Sequence, residues 1–311
     1  MTLKPIQKGE EILSIPYELA LNLGREGNDP TLPAYTLLQE LCCSNNNDNK
    51  VNKKTYMNLL PEYDGSDMLG STDFFSQEAL DALQYPPIVQ ETLDRRDLTT
   101  ARYERDVEPM LHISKTTFNY QNNPVTLRHL QWCVWLITSR VLTVQGDASQ
   151  GDAVAYRLMI PLLDMCNHDR SSPHILSGRA VPGGLLKVVA GTNLEAGDQV
   201  TICYGGGVAG NDRFLQDYGF LDDFASSDAS STFNPTEAYD IVARQVLGQQ
   251  RTEGGASISL SDRGRILEAL EESTVEEDEL LLLQQKIEEE DVKAAVRFRI
   301  GVKRALERCR V

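Results

Sequence analysis

Long apolar segments are missing from this sequence. No run approaches the roughly 20 apolar residues that a membrane-spanning helix needs. The first residues, MTLKPIQKGEEIL, also lack the basic and then apolar pattern of a secretory signal and the Arg and Ser richness of a transit peptide. We therefore predict an intracellular protein without a membrane partner, for which cytoplasm, nucleus and plastid are not distinguishable.

Cysteine and histidine patterns typical of metal sites are missing as well. The six cysteines include no CxxC pair, and none of the four histidines lies at zinc-finger spacing from them. A structural zinc site needs several Cys and His ligands that converge on one point. The pattern predicts no metal site and favours small core cysteines in a reducing compartment.

Positive charge is scarce, with 30 Lys and Arg residues against 46 Asp and Glu residues and a net charge of −16. Nucleic-acid binding depends on clustered Lys and Arg, so a nucleic-acid partner is not expected. An acidic surface steers basic proteins or peptides inward, which suits a basic protein partner. The same charge also serves solubility alone, and composition does not separate these two interpretations.

The order of local patterns separates an extended region from helical ones. The chain has 311 residues, which suggests about two domains. Short apolar runs divided by Gly and Pro lie between Arg157 and Tyr204 and are typical of strands. Helical patterns occupy Ser76 to Met110, begin again at Thr126 and run into SRVL, and return from Pro235 to Val311. Because strands and helices do not alternate, a doubly wound fold is not expected.

The N-terminal part contains a shorter series of elements. The stretch KGEEILSIP predicts a strand that ends at Pro16, and Ala34 to Cys43 predicts a helix. A loop rich in Gly, Asp and Pro is expected from Gly24 to Pro33, and the polar segment SNNNDNKVNKK is expected to form a surface loop.

The first candidate site is the segment DMCNH, Asp164 to His168, which follows the apolar residues IPLL. Asn and His side chains at a strand end can hold the polar edges of a ligand, since both need hydrogen-bond partners. Asn and Asp are also common turn formers, and a histidine there can be purely structural. Taken alone, the segment favours the turn.

The second candidate is QVTICYGGGVAG, in which Gly205, Gly207 and Gly210 satisfy the pattern GxGxxG. In a dinucleotide-binding fold such glycines let the backbone approach a pyrophosphate at a helix N-terminus. The match lies late in the chain, and no second strand follows at the spacing of a βαβ unit. A nucleotide site therefore stays the weaker interpretation beside a simple turn.

Two tyrosines form the third candidate: Tyr204 at a strand end and Tyr218 in DYGF. Such residues are commonly half-buried packing residues with a solvated hydroxyl. A tyrosine that points into a narrow pocket can also orient an amine nucleophile by hydrogen bonding. Only neighbouring groups decide between these roles.

Four motifs follow one another in the order SRVL, IPLLDMCNH, LEAGDQVTICYG and NDRFLQDYGF. This series closely resembles SET-domain protein methyltransferases of the Rubisco large-subunit methyltransferase-like class. The resemblance covers nearly the whole chain, because KGEEILSIP resembles the early SET strand, FFSQEALDAL through WCVWLITSRVL resembles a helical insert, and STVEEDELLL with RFRIGVKRAL resembles a C-terminal substrate-binding domain. It implies an α+β fold: a SET domain of short β-sheets with a knot-like crossing in residues 1–225, an insert at about 34–135, and an all-α domain in 226–311.

The resemblance also implies a site within Ile160 to Leu221, to which Arg140 adds one residue from further upstream in the sequence. The methyl donor S-adenosylmethionine is the implied cofactor, and the residues matched to its binding are Arg140, Asn167, His168, Tyr218 and Phe220. Tyr204 matches the catalytic tyrosine at the methyl-transfer channel. The knot-like crossing is expected to bring the segment of Asn167 and His168 beside Tyr204.

The sequence departs from the family pattern at three places. Members normally begin with a Gly-rich segment that contacts the donor, and this sequence begins just after its expected position. Either the sequence is incomplete or the donor pocket lacks one wall, which bears on activity and leaves the fold unaffected. GGGVAGN is richer in glycine than the usual turn after the tyrosine, and Leu142 stands where an aromatic is often found.

The resulting hypothesis is a monomeric S-adenosylmethionine-dependent protein-lysine N-methyltransferase that acts on a non-histone protein. One alternative is a catalytically impaired SET-fold module that binds proteins. Another is a protein-histidine methyltransferase of the same class, against which the apolar Leu142 argues because it cannot hydrogen-bond an imidazole. A nucleotide-dependent enzyme that uses the Gly205 loop is the third.

Overall fold

The computed structural model describes residues 1–43, 55–63, 70–113, 118–121, 123–147, 154–222, 236–249, 258–284 and 287–310. The loop expected at 44–54 and the domain boundary expected at 225/226 lie outside these residues. Within them, no helix is both long enough and apolar enough to cross a membrane.

The chain forms two compact units. The first unit is Met1–Gly65 with Leu98–Tyr204, and the second is Ser66–Asp97 with Gly205–Val311. Each unit thus combines separate parts of the chain. The assignment of residues 1–225 and 226–311 to two functional domains stays a prediction.

The first unit holds the described strands, which are mostly short. In chain order they are β1 (Glu11–Pro16), β2 (Leu21–Arg25), β3 (Asn119–Tyr120), β4 (Asn123–Pro124), β5 (Leu142–Gln145), β6 (Ala155–Met159), β7 (Asn167–His168), β8 (Ile175–Ser177), β9 (Leu185–Val189) and β10 (Thr201–Ile202). They pair as small sheets with the orders β1-β9-β8, β2-β6-β5, β3-β4 and β10-β7. Only β10 and β7 run parallel among these pairs.

Apolar side chains from several of these strands meet in one core. Ile15 of β1 lies opposite Leu186 of the antiparallel strand β9, and both are buried with Leu158 and Ile160. Alternate strand residues point to one face, so these sheets bury that face by turning it toward the common core. The predicted N-terminal strand ending at Pro16 is confirmed.

The first helix begins earlier, and the loop before it begins later, than the sequence pattern predicted. Helix α1 (Thr31–Cys43) begins three residues before Ala34, since Asp29 accepts hydrogen bonds from the backbone N–H and the hydroxyl of Thr31. The loop expected from Gly24 is also wrong at its start, because β2 continues through Arg25. Capping by the Asp29 carboxylate explains the early helix start.

The next helices are α2 (Gln77–Ala82), α3 (Pro86–Arg102), α4 (Glu108–Ile113) and α5 (Leu127–Arg140). Helix α2 begins after Ser76, in line with the predicted start of the helical pattern, and the Ser76 hydroxyl caps it by accepting from the Ala79 N–H at 3.1 Å. Helix α5 begins after Thr126 as predicted. It runs into SRVL as predicted and ends there at Arg140, and Leu142 already belongs to β5. The β-branched residues of VLTV favour this extended strand.

The described residues after Thr236 are helical, as predicted for the C-terminal part. After the short helix α6 (Asn211–Arg213) they form α7 (Glu237–Leu247), α8 (Leu260–Leu270), α9 (Val275–Leu283) and α10 (Glu290–Cys309). Helix α10 packs against α7 and α2 through buried apolar residues that include Val296 and Phe298. The predicted α+β class, with an all-α C-terminal part, is confirmed.

Candidate active site

The segment DMCNH is tied to the segment ICYG by a short parallel strand pair. Asn167 lies opposite Thr201, and His168 lies opposite Ile202. The Asp169 N–H extends this pairing by donating to the Ile202 carbonyl at 3.1 Å. The expected meeting of the two segments is therefore confirmed, although more than thirty residues separate them in the chain.

His168 and Tyr204 interact directly at the end of this pair. The Tyr204 backbone N–H donates to Nδ1 of His168 at 3.0 Å, and the two ring centroids lie 5.1 Å apart. Because Nδ1 accepts this bond, a neutral His168 carries its proton on Nε2. The imidazole thus fixes the backbone at Tyr204 and leaves an N–H donor on its other side.

The Tyr204 side chain is oriented by a second hydrogen bond. Its hydroxyl donates to the Cys166 carbonyl at 2.6 Å. Burial raises the pKa of Tyr204 to about 12, although the positive charge of Arg140 acts in the opposite direction. The hydroxyl therefore stays protonated near neutral pH, and its oxygen lone pairs remain able to accept from an incoming N–H.

Asn167 and His168 face different environments although they are adjacent. Asn167 is exposed and His168 is half-buried. Successive strand residues point to opposite sides, which explains the difference. The exposed Asn167 amide offers both a donor and an acceptor to a ligand, and the two side chains do not point to a single common face.

Arg140, at the C-terminal end of α5, lies against the start of DMCNH. Its guanidinium donates to the Asp164 carbonyl at 3.2 Å and lies 3.7 Å from Oδ2 of the same residue. The hydroxyl of Tyr56 donates to Oδ2 of Asp164 at 2.7 Å. Arg140, Asp164 and Tyr56 thus form one hydrogen-bonded cluster, which we call the Asp164 cluster.

The Asp164 cluster is buried but incompletely satisfied. The Asp164 side chain is fully buried, and burial raises its pKa, although Tyr56 and Arg140 oppose this shift. Burial also raises the pKa of Tyr56, with the Asp164 carboxylate adding to the effect. Within the described part of the chain, Asp164 Oδ1 and Arg140 Nε have no hydrogen-bond partner. Buried polar atoms of this kind are suited to binding the polar groups of a ligand.

Tyr56 was not among the residues expected at the site. It lies in a helical turn at residues 55–57, in a segment that carries no recognisable motif. Its partner Asp164 is 108 positions away in sequence. Its only sequence signal is a tyrosine just before Met57, Leu59 and Leu60, which is equally typical of ordinary packing.

The other two expected site residues, Tyr218 and Phe220, belong to the second unit. Their rings form an aromatic cluster with Phe214, with Phe214 and Phe220 stacked at a centroid distance of 5.3 Å. Gly219 between them has φ of 82°, and a Cβ there would lie 2.1 Å from the Gly70 carbonyl oxygen. A glycine is therefore required in the middle of the YGF motif.

A buried arginine holds the turn that precedes the YGF motif. Arg95 donates to the Asp73 and Asp217 carboxylates, each at 2.8 Å, and to the Gln216 carbonyl at 3.0 Å. Its planar guanidinium can serve all three acceptors at once. The direction in which Tyr218 leaves this turn is thus fixed by neighbouring charged groups of the same unit.

A nucleotide site at the glycine-rich loop finds little support in the structure. Gly205, Gly206 and Gly207 all have positive φ, and the Val208 N–H bonds back to the Gly205 carbonyl as in a tight turn. The helix that follows, α6, has three residues and continues only as a five-residue π-helical stretch that ends at Tyr218. A phosphate-binding loop needs backbone N–H groups at the start of a substantial helix, so the turn interpretation is favoured.

The fold has counterparts of known structure, although no protein-family model and no curated protein matches the sequence. The SET domain of LSMT bound to lysine and AdoHcy is similar over 98% of this chain and 82% of that one, with 19% identity and a TM-score of 0.61. The same domain bound to MeLysine and AdoHcy gives a TM-score of 0.60, and Rubisco LSMT bound to AdoMet gives 0.58, both at 19% identity. The chain therefore has the SET fold of the Rubisco LSMT structures, as its motif order predicts.

Proposed function

We propose that this chain is a protein-lysine N-methyltransferase that uses S-adenosylmethionine. The observation that carries this proposal is the β7–β10 pair, which aligns Asn167 with Thr201 and sets Tyr204 directly beside His168. The similar LSMT structures are bound to lysine and AdoHcy, to MeLysine and AdoHcy, to AdoMet, or to sinefungin and monomethyllysine. The arrangement of this chain's own side chains, described next, suits that chemistry.

The Asp164 cluster has the polarity needed for the amino-acid end of the donor. S-adenosylmethionine carries an α-ammonium and an α-carboxylate there and supplies a methyl group on a positively charged sulfur. The Arg140 guanidinium suits the carboxylate, because Arg makes strong charge-assisted hydrogen bonds to carboxylates. The unpaired Oδ1 of Asp164 suits a cationic N–H donor. Asn167 and the Nε2 side of His168 would hold further polar edges of the same molecule.

Tyr204 is proposed to orient the lysine amine. Its hydroxyl proton is already used on the Cys166 carbonyl, so its oxygen can accept an N–H bond from the amine. Only a neutral amine has the lone pair that attacks, and partly buried surroundings favour that neutral form. Holding the amine in line with the methyl group supplies much of the acceleration by orientation alone.

Tyr56 is proposed as a positioning residue that acts through Asp164. It holds Oδ2 of the carboxylate and thereby leaves Oδ1 and the neighbouring Arg140 in a defined geometry. Buried polar networks are rigid when their members are paired, which is what a preorganised binding site requires. Tyr218 and Phe220 are proposed to wall the lysine channel or to stack near the donor, in keeping with the family resemblance.

The proposed substrate is a lysine-bearing segment of a non-histone protein. The chain's net charge of −16 would steer a basic segment toward it. Leu142 of β5 is half-buried and apolar, so it cannot hydrogen-bond a histidine imidazole, and this favours lysine over histidine as the acceptor. We propose that the protein acts as a monomer inside the cell.

Two measurements test the proposal in sequence. Calorimetric titration of S-adenosylmethionine into the protein and into an Arg140→Ala variant should show binding that the substitution weakens. Undetectable binding would favour the alternative of a SET-fold protein-binding module without activity. Mass spectrometry of matched Lys and His peptides incubated with protein and donor should then show methyl groups on lysine only. Methylation confined to histidine would support the histidine alternative.

A further inference from the structure

A groove lined by arginines crosses the helical part of the second unit. It has a volume of about 380 Å³ and lies among α7, α9 and α10. Arg297, Arg304 and Arg308 of α10 line it on one side, and Glu279 of α9 is the acidic side chain in its lining. We call this surface the arginine groove. Three positive side chains against one negative side chain are unusual in a chain of net charge −16.

The spacing of these arginines places them along one side of the helix. Residues three, four or seven apart in a helix share a face, so Arg297, Arg304 and Arg308 follow one another along the groove. All three are exposed. Two other basic residues of α10, Arg299 and Lys303, are instead buried and bound to Asp278. The two sets therefore differ in surroundings, because the buried one pairs with Asp278 and the exposed one lines the groove.

The bottom of the groove is apolar and shaped by a close backbone contact. Tyr239 of α7 packs on Gly301 so tightly that a Cβ at that position would lie 2.2 Å from the tyrosine ring. Ile300 and Leu282 complete this apolar strip between the charged walls. A ligand that fits must therefore combine negative charge with an apolar group.

The ion pairs along the groove can be replaced by ion pairs with a ligand. Arg304 pairs with Glu279 and Arg308 pairs with Asp240, and the arginine side chains in these pairs are 52% and 42% exposed. Exposed ion pairs contribute little and are easily replaced. Arg297 makes no ion pair within 4.0 Å among the residues that the structure describes. Since a guanidinium has five N–H donors, even the paired arginines can donate hydrogen bonds to a second carboxylate.

The groove continues beyond Arg308, which gives it the length of an extended segment. A second concavity of about 530 Å³ shares Thr236 and Arg308 with the first and adds Arg244, Gln249, Cys309 and the acidic Asp240, which pairs with Arg308. An extended peptide spans about 3.3 Å per residue, so several residues can lie along such a trough. Both parts together present a basic and polar track with an apolar strip.

We propose that the arginine groove binds an acidic segment of a partner protein, with its carboxylates on Arg297, Arg304 and Arg308 and an apolar side chain over Tyr239. Arginine clusters are a recurrent way of binding acidic peptide motifs. A nucleic acid fits less well, because its affinity rests on contacts to phosphates and gains little from the apolar strip. This proposal does not depend on methyl transfer.

Fluorescence anisotropy with a labelled peptide of alternating Glu and Leu tests the proposal on the full chain. The peptide should bind, and Arg297→Gln combined with Arg304→Gln should weaken binding by about tenfold or more, since each lost charge-assisted hydrogen bond is a strong one. The matched control is Arg265→Gln on α8, an arginine 68% exposed and outside the groove, which should change little.

The comparison ligands are a Gln and Leu peptide of the same length and a single-stranded oligothymidylate. The proposal is overturned if the Gln peptide binds as tightly as the Glu peptide, or if the double variant and the Arg265→Gln control behave alike. Tighter binding of the oligothymidylate than of the Glu peptide would also overturn it and identify a nucleic-acid surface. Thermal melts of all variants show that the substitutions leave the fold intact.

Discussion

The hydroxyl of Tyr56 donates to Oδ2 of Asp164 at 2.7 Å, and both side chains are buried. The same carboxylate group faces Arg140, and the next polar residues along the chain are Asn167 and His168. A tyrosine far upstream is thereby connected to the segment proposed to hold the methyl donor. This contact makes the geometry of the proposed donor site dependent on residues outside its motifs.

Tyr56→Phe removes this hydrogen bond while keeping the ring. We expect donor binding to weaken by about tenfold, because a loss of about 1.4 kcal/mol corresponds to a factor of ten and one buried hydrogen bond is of that size. Calorimetric titration measures the effect. Tyr103→Phe is the matched control, since its hydroxyl bonds to the Val125 carbonyl at 3.2 Å away from the Asp164 cluster. Equal donor affinities in both variants would contradict a positioning role for Tyr56.

Tyr204→Phe should separate catalysis from donor binding. Turnover should fall by about a hundredfold, the loss typical when one oriented polar group is removed from an active site. Donor affinity should change little, because the backbone N–H of Tyr204 still bonds to His168. Initial rates and calorimetry on the same preparation measure both effects. Tyr156→Phe, in the apolar core of the same unit, serves as the control. If Tyr204→Phe turned over as fast as Tyr156→Phe, the proposed role of Tyr204 would be ruled out.

Asn167→Ala should show the opposite pattern. The exposed amide of Asn167 is proposed to bind the donor, so its removal should raise the dissociation constant by about tenfold, in line with the loss of one to two hydrogen bonds. Asn193→Ala removes another surface amide, whose oxygen accepts from the Lys8 N–H at 2.8 Å, and should leave donor binding unchanged. If the two variants bound the donor alike, Asn167 would not be a ligand.

The pH dependence of methyl transfer should follow the substrate amine. Burial raises the pKa of Tyr204 to about 12, so its hydroxyl is neutral throughout the range between about pH 7 and 10, where a lysine amine begins to lose its proton. The rate on a lysine peptide should therefore rise with pH in the parent enzyme and with a similar slope in Tyr204→Phe. A rise that disappears in the variant would mean that Tyr204 acts as the base.

The buried Asp278 of α9 should dominate the stability of the helical part of the second unit. It accepts from Arg299 at 2.5 Å and from Lys303 at 2.8 Å, so Asp278→Asn should cost about 3–5 kcal/mol, as is typical when one partner of a buried ion pair is removed. Urea unfolding measures the change. Asp262→Asn, which breaks an exposed pair with Arg265, should cost far less. Similar losses in both variants would contradict the importance of burial.

The Asp278 carboxylate also predicts that the difference in stability between the parent protein and Asp278→Asn depends on pH. Burial alone would raise the pKa of Asp278, but the hydrogen bonds from Arg299 and Lys303 outweigh burial, and the pKa is lowered. The unfolded chain therefore takes up the proton first as the pH falls. The stabilisation is complete above the ordinary aspartate pKa of about 4 and is lost as the pH drops through the lowered value. The gap in stability between parent and Asp278→Asn should shrink correspondingly in acid.

Local patterns in the sequence predicted several elements well because their causes are local. The Ser76 hydroxyl caps a helix by accepting from the N–H of Ala79, three residues later. The strand that ends at Pro16 is indicated by its alternating polar and apolar residues and by the proline itself. The errors arose where elements begin or end. β2 continues through Arg25, past the expected start of a loop at Gly24, and α1 begins early because Asp29 caps it.

The motif order predicted the meeting of Asn167 and His168 with the segment of Tyr204, and the parallel pairing of β7 with β10 realises it. The sequence by itself thus determined the fold class and the residues proposed for the site. Only the tertiary structure decided what holds them, namely Tyr56 on Asp164 and the Cys166 carbonyl on the Tyr204 hydroxyl. It also formed the arginine groove, which lies apart from these residues on α10. These contacts join residues distant in sequence, and such pairings depend on how whole elements pack, which no local preference of the chain encodes.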